Sequence, residues 1–298
     1  MGTLKADWIG GLDGTKGQEP IVLSGDSVTL GSNTRIFVNA NKGVSATTVI
    51  SGTSHYDRIK ITADYLTLTD NNNFSILTPS VDVTAIITNS GANGLDTGSG
   101  AASNWYYYWV ISNGTTTAGL WSLSNSSPTM PSGYTYKKFI GAVYNQSSGG
   151  SGNAHLCEVH QRGGWIYTYY GSGDGVATGK IYGPHSLGAN TQHTVNPTTF
   201  IPPNVDYYQF RFQGDQPSSH SVNIHFNSGV FTRQSGTAAG LGIGSQQLYI
   251  YTDSNGSTQT GGNIILPMIT SQTFFANPIY TVGTVNLYHV GYQYLGIV

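Results

Sequence analysis

Short runs in which apolar and polar residues alternate, each closed by glycine, asparagine or proline, recur from about residue 57 to the end of the chain. This period of two constrains the fold more than any other feature. At 81–87, Val81, Val83, Ala85 and Ile87 alternate with Asp82 and Thr84, the pattern of a half-buried strand whose successive side chains point to opposite faces. At 206–212, Tyr208, Phe210 and Phe212 read as core, with Tyr207, Gln209 and Arg211 outward. Further runs of this kind lie at 118–124, 136–144, 156–161, 165–170, 221–226, 247–252, 264–269 and 284–294. Nowhere do apolar residues recur at i, i+3, i+4 and i+7 over three turns, so no amphipathic helix is expected.

Two runs depart from simple alternation. Between 58 and 68 the apolar set is Ile59, Ile61 and Ala63, then Leu66 and Leu68, a parity change of the kind a β-bulge produces. At 104–112 both faces are aromatic: Trp105, Tyr107 and Trp109 on one side, Tyr106 and Tyr108 on the other. Many short strands separated by turn signals predict an all-β chain of one or two antiparallel β-sandwich, jelly-roll-like domains. Residues 1–55, Gly-rich and poor in large apolar side chains, are expected to form an attachment or subunit-contact segment. The Gly/Ser-rich stretch 146–153 suggests a division between one sandwich at 56–148 and a distal one at 149–298.

Composition narrows the function. Only 9% of residues are charged, against about 25% in an average globular protein. Yet 20 Tyr, 10 Phe, 5 Trp and a formal charge of −2 are not the signature of disorder. The 12 Lys and Arg are scattered, whereas a nucleic-acid binder needs a basic stripe to neutralise phosphates. No apolar run reaches the ~20 residues of a spanning helix, so no membrane insertion is expected. The start of the sequence shows no signal-peptide apolar region, which predicts synthesis in a cytoplasm and export, if any, by another route.

Chemical motifs are weak. Gly240-Leu241-Gly242-Ile243-Gly244-Ser245 could cradle phosphate only if a helix followed, and 247–252 reads as a strand. Asp253-Ser254-Asn255-Gly256-Ser257 has oxygen ligands at alternate positions, but Ile264 stands where a calcium loop carries a bidentate Glu. A hairpin turn suits it better. Single Cys157 excludes an intrachain disulfide, and His155 with Cys157 falls short of a zinc site. No metal or other cofactor is expected. Glycan cleavage would need two carboxylates about 5–9 Å apart. Glu158, Asp174, Asp206 and Asp215 are the acids nearest the aromatic-rich half, and no spacing pairs them, so the chain is read as non-enzymatic.

The aromatic strands carry the functional weight. Tyr and Trp offer rigid amphipathic faces that stack on sugar rings and donate hydrogen bonds. Trp105, Tyr107 and Trp109 fit better as core or subunit interface, since large aromatics dominate both. The candidate ligand-binding residues are Tyr207, Tyr249 and Tyr251, which alternate with apolar neighbours, together with Trp165, Tyr167 and Tyr169.

From 89 to 149 the chain resembles a segment that recurs in tail-fibre and other appendage proteins of tailed phages. The matching elements are Ala92-Asn93-Gly94-Leu95-Asp96-Thr97-Gly98, the aromatic strand after Asn104, 120–123, Pro131-Ser132-Gly133-Tyr134-Thr135-Tyr136 and Gly141-Ala142-Val143. The Gln161-Arg162-Gly163 turn and the strand at 287–294 are also similar. The resemblance implies a β-sandwich virion protein, often a homotrimer, without a defined catalytic centre. It carries over no functional residue. The expectation is a phage appendage that joins other virion proteins through its N-terminal segment and binds host-surface polysaccharide. A capsid decoration or head-spike protein and a glycan depolymerase are the alternatives.

Overall fold

A computed structural model describes residues 22–24, 27–29, 41–51, 55–146, 155–169, 179–188, 191–216, 222–228, 246–250, 258–278 and 282–297. The chain divides into two compact units, Met1–Val38 and Asn39–Val298. In the first, β1 (Val22–Ser24) and β2 (Ser27–Thr29) pair antiparallel.

The second unit begins with β3 (Asn41–Lys42), β4 (Ser45–Ser51), β5 (His55–Thr69) and β6 (Ser75–Ile86). Next come β7 (Gly94–Leu95), β8 (Asn104–Ser112), β9 (Thr117–Ser122) and β10 (Tyr136–Asn145). The run continues through β11 (Glu158–Arg162), β12 (Trp165–Tyr169), β13 (Lys180–Leu187), β14 (His193–Val195) and β15 (Tyr207–Gln216). It closes with β16 (Val222–Asn227), β17 (Gln246–Ile250), β18 (Thr258–Pro267), β19 (Phe274–Pro278) and β20 (Val282–Gln293). Among the described residues the strands pair antiparallel, apart from β7 beside β9. The protein is all-β and sandwich-like, as the period of two requires.

The principal layer runs β6-β5-β4-β11-β12-β20-β15-β18, with β13 continuing the β12 side of β20. Strands from before and after the Gly/Ser-rich 146–153 stretch share this layer, since β11 pairs with β4. Two smaller sheets cover one of its faces. The first, β10-β8-β9-β7, folds over from the principal layer and stays joined to it where Lys137 of β10 pairs with Thr69 of β5. Its Trp121 donates Nε1–H to the Ala85 carbonyl at 3.0 Å, and the Tyr292 hydroxyl donates to the Ala142 carbonyl at 2.8 Å. The layers meet closely at Gly141: a Cβ there would lie 2.7 Å from Ile166 Cδ1 of the principal layer, and 2.3 Å from the Tyr108 hydroxyl on the neighbouring strand of its own sheet. The second is β14-β19-β16-β17, and it packs on β15: Phe210 lies 4.7 Å from Phe274 and 5.2 Å from Phe226, centroid to centroid.

This packing explains which aromatics are core. Tyr106 and Tyr108 face the principal layer, where the Tyr108 hydroxyl donates to Gln161 Oε1 at 2.8 Å. On the other side of β8, Trp109 rests 5.3 Å from Phe139, which in turn lies 4.9 Å from Tyr294. Tyr107 and Trp109 are therefore buried within one chain, and their expected use as a subunit contact is not needed.

The parity change in β5 has a different cause from the one expected. Ala63 and Leu66 are both buried around exposed Asp64, yet the register with β6 is the same on either side. The irregularity is in the neighbours: Ser80 takes φ +51° and Gly43 φ +67°, and a Cβ on Gly43 would lie 2.9 Å from the Asp64 carboxyl.

Candidate ligand-binding face

Among the described residues both smaller groups of strands lie on one face of the principal layer, and its other face carries the outward residues of β11, β12, β20 and β15. Alternation selects them. The hairpin β11–β12 turns on Gly163-Gly164 and sets Arg162 opposite Trp165, His160 opposite Tyr167 and Glu158 opposite Tyr169. Gly163 supplies the positive φ, +54°, that a two-residue turn demands. On the next strand Trp165 faces Gln293 and Tyr167 faces Gly291. Beyond it, Tyr207 pairs with Gln293, Gln209 with Gly291 and Arg211 with Tyr288.

Four of the six candidates from the sequence are thus brought to one surface: Trp165, Tyr167, Tyr169 and Tyr207. The Trp165 and Tyr167 rings are parallel within 16°, their centroids 6.2 Å apart. Tyr167 is 41% and Tyr169 64% exposed, while Trp165 and Tyr207 are half-buried. Trp165 and Tyr207 are two strands apart, ~10 Å at the usual strand spacing, so the rings extend over a strip about two sugar rings wide. Gly291 is the gap in this strip. A Cβ there would lie 2.5 Å from the Ile166 carbonyl and 3.2 Å from the Tyr167 ring, so the missing side chain lets the tyrosine lie across β20.

Tyr249 belongs to β17, opposite Asn223, and its side chain lies outside the described part of the chain. Tyr251 lies outside the described residues altogether, as do Gly240–Ser245, Asp253–Ser257 and Asp174. Tyr249 is on neither of the strands that carry the other four.

Sequence reasoning missed Tyr288, Arg162, Lys180 and Gly291. Tyr288 sits between Lys180 on β13 and Arg211 on β15. The Lys180 ammonium is 5.9 Å and the Arg211 guanidinium 5.8 Å from its ring centroid, the range in which a cation is attracted to the negative face of an aromatic ring. Only the outward position of Arg211 was visible in the alternation of β15. The rest requires the order of strands.

Among the described side chains few acids lie near this face, and that of Asp215 on β15 is outside the described part of the chain. Glu158 is 2.9 Å from His160 Nε2, and Asp206 Oδ2 accepts the Leu295 backbone N–H at 2.8 Å. The two acids are separated by three strand spacings and about five residues, on the order of 20 Å, well beyond the 5–9.5 Å of a glycosidase pair. Among the described residues no three His, Cys, Asp or Glu come together as a metal site. Of the two residues that fell short of a zinc site, Cys157 is buried and its sulfur accepts a hydrogen bond from Gln146 Nε2 at 3.2 Å. His155 is buried too.

Fold and surface together define an all-β protein that presents one open, aromatic-lined sheet face. No family model matches the sequence, and no curated protein matches it. Among solved structures, the chain has a likeness to a Bacillus thuringiensis Cry1Da tryptic core variant, at 10% identity and a TM-score of 0.16. The match covers 85% of this chain and 51% of the other, about half that protein's length. A likeness at that level carries no argument about function.

Proposed function

We propose that the chain is a structural protein of a tailed-phage particle, a tail fibre or similar appendage, that binds host-surface polysaccharide without cleaving it. Two observations support this reading. The segment 89–149 resembles phage appendage proteins, and the outward aromatics of β12 and β15 share one open face. The second carries the glycan assignment, because flat exposed rings stack on the apolar faces of sugars, while their polar edges hydrogen-bond to hydroxyls. In this reading the chain assembles as a homotrimer, and residues 1–55 attach it to other virion proteins.

Adsorption of particles to host cells tests the reading directly. Tyr167→Ala and Tyr169→Ala should each slow adsorption, by about thirtyfold in affinity if the ring is a true anchor worth ~2 kcal/mol. Host polysaccharide incubated with the protein should keep its size. Unchanged adsorption in the double variant would move the adhesive site elsewhere, and a head-lattice position in particle images would favour a capsid decoration protein.

A further inference from the structure

The charges on the principal layer are distributed unevenly. On its β3–β6 side each cation has a carboxylate: Lys42 with Asp64 at 3.6 Å, Lys60 with Asp82 at 3.2 Å and Arg58 with Asp57 at 2.7 Å. On the aromatic side the arrangement differs. Arg162, Lys180 and Arg211 form no ion pair with any carboxylate among the described residues. Arg162 and Arg211 are exposed, and Glu158 is already hydrogen-bonded to His160.

Placement makes these three cations a set. Arg162 stands beside Trp165 in the cross-strand row that also holds Gln293 and Tyr207. Lys180, Tyr288 and Arg211 form a second row across three strands, with both cations over one ring. Fixing a long cationic side chain on a ring reduces its freedom before any ligand arrives, and guanidinium in particular offers paired donors to a carboxylate or phosphate. In a chain with so few charges, an aromatic strip bordered by unneutralised cations complements a polymer whose sugar rings carry negative groups.

We infer that this face takes an oxyanion-bearing polysaccharide, its rings stacked on Trp165 and Tyr167 and its carboxylate or phosphate held by Lys180 and Arg211 beside Tyr288. The inference rests on the glycan-binding reading above and adds the charge of the ligand. Arg162 guides a second anionic group at the far end of the strip. Single-stranded nucleic acid also combines rings and anions, but the two rows hold three cations rather than a continuous track along a backbone.

The test uses the full chain and polymers that differ only in charge. Polygalacturonate and its methyl ester share one backbone, as do a phosphomannan and its dephosphorylated mannan, and comparing the two acidic polymers separates phosphate from carboxylate as the preferred anion. The wild-type protein should bind at least one of the acidic polymers tenfold or more tightly than the neutral form of the same backbone, with the preference shrinking as salt is raised. The double variant Arg211→Gln/Lys180→Gln should lose that preference while holding the neutral form as the wild type does. Tyr167→Ala should weaken acidic and neutral forms alike. Equal binding of the acidic and neutral forms of both backbones, or a double variant with its preference intact, overturns the inference but leaves glycan binding standing. Tighter binding of oligothymidylate than of either acidic polymer replaces a polysaccharide with nucleic acid. If no polymer binds and Tyr167→Ala particles adsorb normally, both the inference and the reading beneath it are lost.

Discussion

Gln161 joins the layers of the fold through three hydrogen bonds. Its Oε1 accepts from the Tyr108 hydroxyl, and its Nε2 donates to the Ile140 and Gly163 carbonyls, each at 2.8 Å. Gln161→Leu keeps the volume but leaves two buried polar groups, the Tyr108 hydroxyl and the Ile140 carbonyl, unpaired, at ~1–3 kcal/mol for each that cannot relax. Chemical denaturation should therefore show a loss of ~2 kcal/mol or more. Adding Tyr108→Phe should cost less than the two single effects summed, because one bond is shared; strict additivity would mean that the bond contributes nothing. His289 is the second such residue. It lies beside Tyr208, hydrogen-bonded to that hydroxyl at 3.1 Å and to Thr168 Oγ1, and burial pushes its imidazole down to about 3. Above pH 6.5 folded and unfolded chains both hold it neutral. Below that, only the unfolded chain takes the proton, so stability falls as pH drops from 6.5 towards 3, by roughly 1.4 kcal/mol per unit from this group. His289→Gln should flatten the slope of stability against pH in that window. An equal slope in both proteins would show that the histidine finds its proton in the folded state. Neither role is legible in the sequence, where Gln161 reads as a turn and His289 as one polar residue among several, because burial of a polar group is decided by what packs over it.

At the scale of elements, β15 was legible almost entirely and β20 only in part. Alternation alone assigned Tyr208, Phe210 and Phe212 inward and Tyr207, Gln209 and Arg211 outward, and the structure keeps that division through a regular register with β18. In β20 an extra residue lies between Gly291 and His289 opposite Gln209 and Phe210, so Tyr288 is outward and Tyr292 inward although both are even-numbered. A bulge of this kind depends on the partner strand and leaves little trace in the sequence. Short elements such as β14 and β19 escaped for a related reason: three to five residues give too few alternations to read. The two faces of the layer should respond oppositely to truncation. Phe210→Ala removes a ring packed between Phe226 and Phe274 and should cost ~3–5 kcal/mol. Tyr167→Ala removes an exposed one and should change stability by about 0.5 kcal/mol or less. Thermal unfolding of the pair checks this, and early melting of the Tyr167 variant would make its ring part of the packing rather than a surface for ligand.

For the whole molecule, the question is where a homotrimer would make its contacts. Scarcity of charge and a strand aromatic on both sides suggest that one chain cannot hide its own rings. Yet Phe139 and Tyr294 cover the second side of β8, and the Trp109 Nε1–H is given to the Ser124 carbonyl at 3.3 Å. The large apolar side chains that stay exposed, among them Ile50, Leu77, Ile265 and Ile269, belong to other elements. Truncation of Trp109 should thus weaken the subunit and not the assembly. Trp109→Ala is expected to cost ~3–5 kcal/mol, with a melting temperature lowered by the same amount in dilute and concentrated solution. A residue at a subunit contact behaves otherwise, because its loss is coupled to dissociation and grows on dilution. Sedimentation equilibrium should give three times the 31.7 kDa chain mass for the wild type and, below its melting temperature, for the variant as well. A wild-type protein that sediments as a monomer at micromolar concentration would remove the trimer, and a Trp109 effect that deepens on dilution would return that ring to the interface.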